Sequence, residues 1–481
     1  MKTVYFHNTL TGKKEEFKPI TKGVVKMYSC GPTVYSYAHI GNFRSFLTSD
    51  LILRVLNYAG YQVEKVMNIT DVGHLTNDDT VDSTGEDKIS KIARQEKLDP
   101  FEVARKFEEY FHQDEEKLRI IPAKKYPRAT EYIAEQINLA KKLIKEGFAY
   151  EVNGSVYFRT EKYHKYGQLS GNKLENLIAG ARVEINSEKE SPLDFALWKK
   201  ADKNHLMQWP SPWGQGFPGW HAECSVMSQE LLGFPFDIHT GGEDNIFPHH
   251  ECEIAQNECS HNGQKSVNYW LHTKHLQVEG KKMSKSAGNF YTIRDLFQKG
   301  WQGNEIRFAL MSAHYRSTLN FSINSLEQAR SSISRIVEAV KICRQFGGEA
   351  QDWKTEQVTQ FREIYQKALF DDLNIADALA SVFGLIKTLM KLRAEGNLEQ
   401  KFAQDVLYFL ENDFSRIFDV LPQTMELDAK TRAEIEKLVM ERMQARENKD
   451  WEKSDQLRDL LAEKYNVELL DSATETTWRI K

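Results

Sequence analysis

The sequence predicts an α/β fold: a β–loop–α–β unit near the N-terminus, a long irregular insertion, and a helical C-terminal third. Three observations predict it. Val24-Val25-Lys26-Met27-Tyr28-Ser29-Cys30 is an apolar-rich run of strand length stopped by Gly31-Pro32. Residues 44–59 follow with apolar side chains at Phe46, Leu47, Leu51, Ile52, Val55, Leu56 and Ala59, the spacing of a helix face. Gly60 stands where a helix C-terminal glycine belongs, and residues 61–69 read as the next strand. Second, residues 167–218 are rich in Gly, Pro and Trp, which reads as an insertion. Third, from about residue 325 to about 418 the pattern turns helical, as in Ser332-Ile333-Ser334-Arg335-Ile336-Val337-Glu338-Ala339-Val340. At 481 residues the chain should hold three or so domains.

The loop over residues 33–42 brings His39-Ile40-Gly41-Asn42 to the N-terminus of the first helix. Unpaired backbone N–H groups and the positive end of the helix dipole favour a polyphosphate there. Gly41 lets a flat ring approach the backbone, and His39 and Asn42 can donate to phosphate oxygens as charge develops on them. An ordinary loop whose histidine caps the helix accounts for the same four residues. Further on, Gly280-Lys281-Lys282-Met283-Ser284-Lys285-Ser286-Ala287-Gly288-Asn289 is polar, glycine-bounded and carries three lysines. Lysine is a point charge on a flexible stem, suited to a triphosphate; a solvated basic loop is the alternative.

A third constellation is scattered. Cys30 ends the first strand and Cys224 lies in Gly219-Trp220-His221-Ala222-Glu223-Cys224. His249 and Glu253 belong to Phe247-Pro248-His249-His250-Glu251-Cys252-Glu253. Pro248 suits the first turn of a helix, which would set His249 and Glu253 at i, i+4 on one face. Two thiolates, an imidazole and a carboxylate are a coherent zinc set. The spacing matches no zinc-finger pattern, and from the residues alone separate buried cysteines are the better reading.

The two short elements, in this order and 240 residues apart, resemble the HIGH and KMSKS elements of class I aminoacyl-tRNA synthetases. Further segments resemble the bacterial cysteinyl-tRNA synthetase family over essentially the whole chain. They include Tyr28-Ser29-Cys30-Gly31-Pro32-Thr33-Val34-Tyr35, Asn68-Ile69-Thr70-Asp71 and Ala179-Gly180-Ala181-Arg182-Val183. Trp209-Pro210-Ser211-Pro212-Trp213-Gly214, the block from Trp220 to Cys224, Gly241-Gly242-Glu243-Asp244 and Tyr315-Arg316-Ser317 continue the match.

That resemblance implies a Rossmann-like nucleotide-binding catalytic domain over residues 1–120 and 220–275, with a connective insertion at 121–219. A lysine-loop and stem-contact region at 276–324, a helical bundle at 325–425 and a small anticodon-binding domain at 426–481 would follow. It implies a ligase that activates L-cysteine with ATP and transfers it to tRNA(Cys). The catalytic residues would be His39, Asn42, Lys282 and Lys285, the last stabilising the transition state. ATP would meet His39, Gly41, Asn42, Gly242, Asp244 and Lys285. Thr70 and Trp220 would shape the cysteine pocket, with His239 either a contact or a core histidine. One zinc ion per chain would be held by Cys30, Cys224, His249 and Glu253, and magnesium would accompany ATP. Arg446, Asp455 and Asp471 are base-contact candidates and Trp451 a stacking candidate; a solvated amphipathic helix is the alternative for each. The family resemblance also favours a monomer.

Zinc explains itself chemically in such a pocket. A metal deprotonates a coordinating thiol, whereas serine offers a much less acidic hydroxyl. A required polar contact discriminates by ~10⁴ or more, where shape alone reaches ~10–200-fold. No segment is long enough for an editing domain.

Composition sets bounds. Five cysteines, two assigned to metal, argue against a disulfide framework and for a reducing cytoplasm. The N-terminus has no apolar core of a signal segment, and no stretch approaches the length of a membrane span. Net charge is −5, so RNA contact must come from local basic patches.

Departures from the family pattern are Asn42 for a second histidine, Phe217, Cys252 and Glu475. A polar segment over residues 72–86 reads as an inserted mobile loop. Cys252 lies about a hundred degrees around the helix from its neighbours and is expected not to be a ligand. A mycothiol-pathway cysteine ligase would lack the C-terminal match, and a non-catalytic relative would be expected to lose the lysine loop or the metal set.

Overall fold

The computed structural model describes residues 1–77, 84–172, 188–202, 205–284, 288–422, 429–465, 467–471 and 476–480. Two compact units are present, Met1–Leu421 and Pro422–Lys481.

The first unit is built on a parallel sheet. Strand β1 (Val24–Ser29) leads through a loop into helix α1 (Ile40–Tyr58) and on to β2 (Gln62–Met67). After a long insertion come α2 (Trp220–Leu232), β3 (Phe236–Gly242), α3 (Glu251–Ser260) and β4 (Val267–Thr273). All four strands are parallel, in the order β4-β3-β1-β2. Register pairs Met27 with Ile238 and Lys65, and Tyr28 with His239 and Val66. The chain therefore leaves β1 toward β2 on one side and returns to β3 on the other. Such a switch point opens a crevice at the C-terminal ends of β1 and β3, where doubly wound sheets bind ligands. This is the Rossmann-like α/β class that the β–loop–α–β pattern predicts.

All seven apolar positions expected to face inward are buried, and the six Phe, Leu, Ile and Val side chains on α1 each contribute about 1.5–3 kcal/mol by the area removed from water. The helix starts at Ile40, earlier than apolar spacing suggests, because His39 and Asn42 close a reciprocal capping box at its N-terminus. Charged residues of α1 are buried too. Asp50 is paired with Arg54 (2.8 Å) and with Arg307 (2.6 Å), and Arg44 donates to the carbonyls of Lys274, His275, His314 and Ser317. These contacts fasten the helix to segments far away in sequence.

The insertion contains the helix Ile133–Lys145 and a five-stranded antiparallel sheet running from Ala149–Val152 to Gly214–Pro218. A smaller three-stranded sheet joins Leu276–Val278, Lys281–Lys282 and Leu319–Phe321, so the lysine loop leaves from a hairpin. Helices Ile323–Gly347, Glu356–Phe370, Ile375–Ala394 and Gln400–Tyr408 then form the predicted bundle.

Where described, the segment over residues 72–86 forms two antiparallel arms, Leu75–Asn77 against Thr84–Asp87, and Asp87 caps the next helix through the N–H of Ser90; residues 78–83 lie outside the described residues. Pro248 opens a helical turn as expected: Phe247 before it has extended backbone (φ −137°, ψ 129°), and from Pro248 the chain is helical on into α3.

The second unit contains two helices, Ala429–Glu447 and Trp451–Tyr465, and the antiparallel hairpin Val467–Asp471 with Thr476–Ile480. Its own core is Ile435, Val439, Leu461 and Val467. Among the described residues, no helix is long and apolar enough to cross a membrane.

Candidate active site

The crevice at the ends of β1 and β3 has a volume of about 740 Å³. Its walls include His39, Gly41, Asn42, Thr70, Trp220, Gly242, Asp244, Lys282 and Met283, with Cys30, Cys224 and His249 at one end. Segments dispersed over most of the first unit thus meet in one cavity.

The two short elements are physically joined. His39 pairs with Thr292 in an antiparallel bridge, and the Ile40 N–H donates to the Tyr291 carbonyl (3.0 Å). A methyl group added at Gly41 would lie 2.9 Å from the His39 ring and 3.5 Å from Met283. His39 does cap the helix: its Nδ1 accepts from the Asn42 N–H (3.1 Å), while Asn42 Oδ1 accepts from the His39 N–H (3.1 Å). Capping is compatible with the expected phosphate contact. With Nδ1 accepting, the ring proton sits on Nε2, which makes that atom a donor. Lys285 lies outside the described residues. Lys282 ends the hairpin strand, and its carbonyl accepts from Asn289 Nδ2 (3.1 Å).

At the other end of the crevice, ligand atoms of Cys30, Cys224, His249 and Glu253 all lie within 4.8 Å of one another. Parallel pairing brings Cys30 there, since its N–H donates to the Thr240 carbonyl (3.0 Å). Cys224 comes from the first turns of α2, and Glu253 from α3, with His249 Nε2 3.0 Å from Glu253 Oε1. A second set, Cys30, His239, His250 and Glu253, is equally close and shares two members.

Burial opposes charge on these groups, and their neighbours overcome it unequally. Burial pushes the Cys30 thiol up, but hydrogen bonds to Cys224 and His249 bring it down to about 6. Burial and the Cys30 sulfur push the Cys224 thiol well above its ordinary value. Burial also opposes ionisation of Glu253, yet His239 and His249 hold it at about 2. Burial favours neutral His249, but Glu253 and Cys30 raise it to about 10. The neighbours thus favour the charged forms of Cys30, Glu253 and His249, and a divalent cation competes with the proton on such a set. Glu253 Oε1, fully buried, accepts no well-formed hydrogen bond among the described residues. Sulfur and nitrogen donors with one carboxylate fit zinc, not magnesium or calcium.

An array of histidines orients this set. His221 Nδ1 lies 3.1 Å from His249 Nδ1, and His239 Nε2 lies 2.9 Å from Glu253 Oε2. His250 Nε2 lies 3.1 Å from Cys30 Sγ, and its Nδ1 is 2.7 Å from His272, which reaches Thr9. Cys252 Sγ faces the Tyr166 hydroxyl (3.3 Å).

Thr70 and Trp220 form the adjoining wall. The Thr70 hydroxyl donates to Glu223 Oε1 (2.5 Å), and burial raises that carboxyl to about 8. Trp220 stacks on His249 with ring centres 4.5 Å apart. Asp244 lies in the turn Glu243–Asn245 that follows β3 at the opposite side of the cavity.

Glu223 and the histidines at 74, 221, 250 and 272 carry no role in the sequence reading. The signal for Glu223 and His221 was their place in the block with Trp220 and Cys224, and for His250 its place beside His249; His272 is brought in by sheet pairing. Arg446, Trp451 and Asp455 lie on the two helices of the second unit, with Trp451 59% exposed. Asp471 ends a hairpin strand there, and its side chain lies outside the described residues.

Residues 16–331 match the family model for the class I tRNA synthetase (C) catalytic domain. The chain is 40% identical over 491 residues to a cysteine–tRNA ligase of Brachyspira hyodysenteriae, covering 100% of both chains. It is likewise 40% identical to one of Chlorobaculum tepidum, again over the full length of both. Among solved structures it is similar to a LeuRS of Agrobacterium radiobacter in a ternary complex with tRNA and LeuAMS, with TM-score 0.60 and 11% identity. That match covers 84% of this chain and 85% of the other. A Mycobacterium tuberculosis methionyl-tRNA synthetase with methionyl-adenylate matches with TM-score 0.58 and 12% identity, over 85% of this chain and 96% of the other. At those identities the structural likeness shows the fold.

Proposed function

This chain belongs to the cysteine–tRNA ligase family of class I tRNA synthetases, and on that premise we propose that it recognises its amino acid by the thiol and activates it in the crevice between β1 and β3. Aminoacylation of tRNA by a ligase is the family's reaction; the refinement is how this chain's residues divide the work. The observation that carries it is one cavity lined by His39, Gly41, Asn42, Lys282 and Met283 and also by Cys30, Cys224 and His249, which with the buried Glu253 make the four-residue set.

ATP is read as lying against the N-terminus of α1, its phosphates near His39 Nε2, Asn42 Nδ2 and Lys282, with Lys285 meeting the triphosphate as charge develops. Gly242 leaves room for the nucleoside, since a methyl group there would meet only ordinary contacts, and Asp244 accepts from the ribose. Magnesium accompanies the triphosphate without a protein cage. Zinc bound by the four residues would favour a thiolate over an alcohol and so select cysteine against serine. Thr70 and Trp220 hold the rest of the amino acid, positioning its carboxylate for in-line attack on the α-phosphate. Cysteinyl-adenylate and pyrophosphate form, and the terminal ribose of tRNA(Cys) then accepts the acyl group. The second unit is read as the anticodon-binding domain, with Arg446, Trp451, Asp455 and Asp471 as contacts. A monomer in the cytoplasm completes the proposal; the absence of a spanning helix among the described residues is consistent with it.

Cysteine-dependent ATP–pyrophosphate exchange, with serine as control and before and after zinc removal, tests the reading. Exchange with cysteine alone, lost with zinc and restored by it, is expected. Equal exchange with serine, or exchange indifferent to zinc, would overturn thiol selection by the metal.

A further inference from the structure

His74 sits just before the first of the antiparallel arms described above, Leu75–Asn77, and it is 9% exposed. Its ring lies flat on Trp220, with centroids 4.7 Å apart and planes 16° from parallel. Trp220 in turn stacks on His249 at 4.5 Å and 26°. Three rings therefore form a continuous pile from the hairpin to the metal set.

The outer ring of that pile is fixed in orientation. His74 Nδ1 lies 2.9 Å from Thr33 Oγ1, and Nε2 lies 3.4 Å from Lys88 Nζ. An ammonium only donates, so Nε2 accepts and the proton is on Nδ1, directed at the threonine. Thr33 pairs with Thr70 in a parallel bridge, and Lys88 also lies over the Tyr35 ring (5.2 Å). The Lys88 N–H donates to the His74 carbonyl (3.0 Å), which closes the hairpin on the histidine. Both His74 and Lys88 face the crevice.

We propose that His74 is a positioning residue for amino-acid selection, acting through Trp220 to hold the cysteine pocket and His249 in register. The proposal rests on the functional reading above. Without the outer ring, one face of Trp220 loses its support and the indole gains freedom to tilt away from the pocket. Nucleotide binding at the far side of the crevice does not involve this pile. The effect should therefore fall on cysteine and not on ATP.

The test compares the full-length protein with His74→Ala and His74→Phe, the latter keeping a planar ring without its hydrogen bonds. In pyrophosphate exchange, His74→Ala is expected to raise KM for cysteine roughly three- to tenfold, the range one lost ring contact supports, with KM for ATP unchanged. His74→Phe should recover most of the loss. In cobalt-substituted protein, the thiolate-to-metal absorption bands should shift in His74→Ala and return in His74→Phe, with one metal per chain throughout. An unchanged cysteine KM in His74→Ala, equal rises for cysteine and ATP, or failure of folded His74→Phe to rescue would overturn the proposal. Wild-type protein with no cysteine-dependent exchange would instead overturn the functional reading, and the cobalt spectra would still report on the stack.

Discussion

Two buried cysteines close in sequence to metal-binding positions meet different fates. Cys224 Sγ lies in the four-residue set, whereas Cys252 Sγ faces the Tyr166 hydroxyl. For Cys252 this follows from helix geometry, since it stands one residue before Glu253 on α3, about a hundred degrees around the helix. Cys224→Ala is expected to lose its bound zinc in a metal analysis of purified protein. Cys252→Ala should keep one ion per chain, and loss of metal there would reassign the site. Gly31 shows how tightly the neighbouring backbone is held: an added methyl group would lie 1.8 Å from the Asn68 carbonyl oxygen. That approach keeps Cys30 at the mouth of the sheet, and nothing in the residue types flanking Gly31 announces it.

At the scale of elements, α1 was readable because its buried face repeats with helical period, while its first turn was not. That turn is polar and is set by side chain to backbone hydrogen bonds at His39 and Asn42, which leave no trace in hydrophobic spacing. The metal set was legible only through family resemblance, since its four members come from a strand end, two helices and a kinked turn. The histidine array was illegible for the same reason: His239 and His272 are placed by pairing between β3 and β4. Helix Pro100–Lys117 offers an electrostatic case. His112 lies 3.0 Å from Glu115 and 3.8 Å from Glu108, and the carboxylates of Glu108 and Glu115 raise it from 6.5 to about 9. A raised folded value means the protonated ring stabilises the fold. Its contribution is complete below pH 6.5 and is lost as pH rises through about 9. His112→Gln should therefore melt below wild type at pH 6, with the gap closing toward pH 10. A gap that widened with pH would refute this sign.

At the scale of the whole molecule, the described site lies within one of the two units, and the proposed reading gives the tRNA anticodon to the other. Among the described residues, every wall of the crevice and every member of the metal set belongs to Met1–Leu421. The family catalytic model likewise ends at residue 331. The second unit has its own core and an exposed Trp451, the kind of aromatic on which an unpaired base can stack. A chain ending at residue 421 should therefore retain cysteine-dependent pyrophosphate exchange close to the full-length rate. Aminoacylation of tRNA should fall by roughly a hundredfold or more, since two or three base contacts worth ~1–3 kcal/mol each would be gone. Trp451→Ala in the full chain should reproduce part of that fall while leaving exchange untouched. If truncation removed exchange and charging together from a folded protein, the second unit would be part of the catalytic machinery. If it removed neither, recognition of the tRNA would have to reside in the first unit.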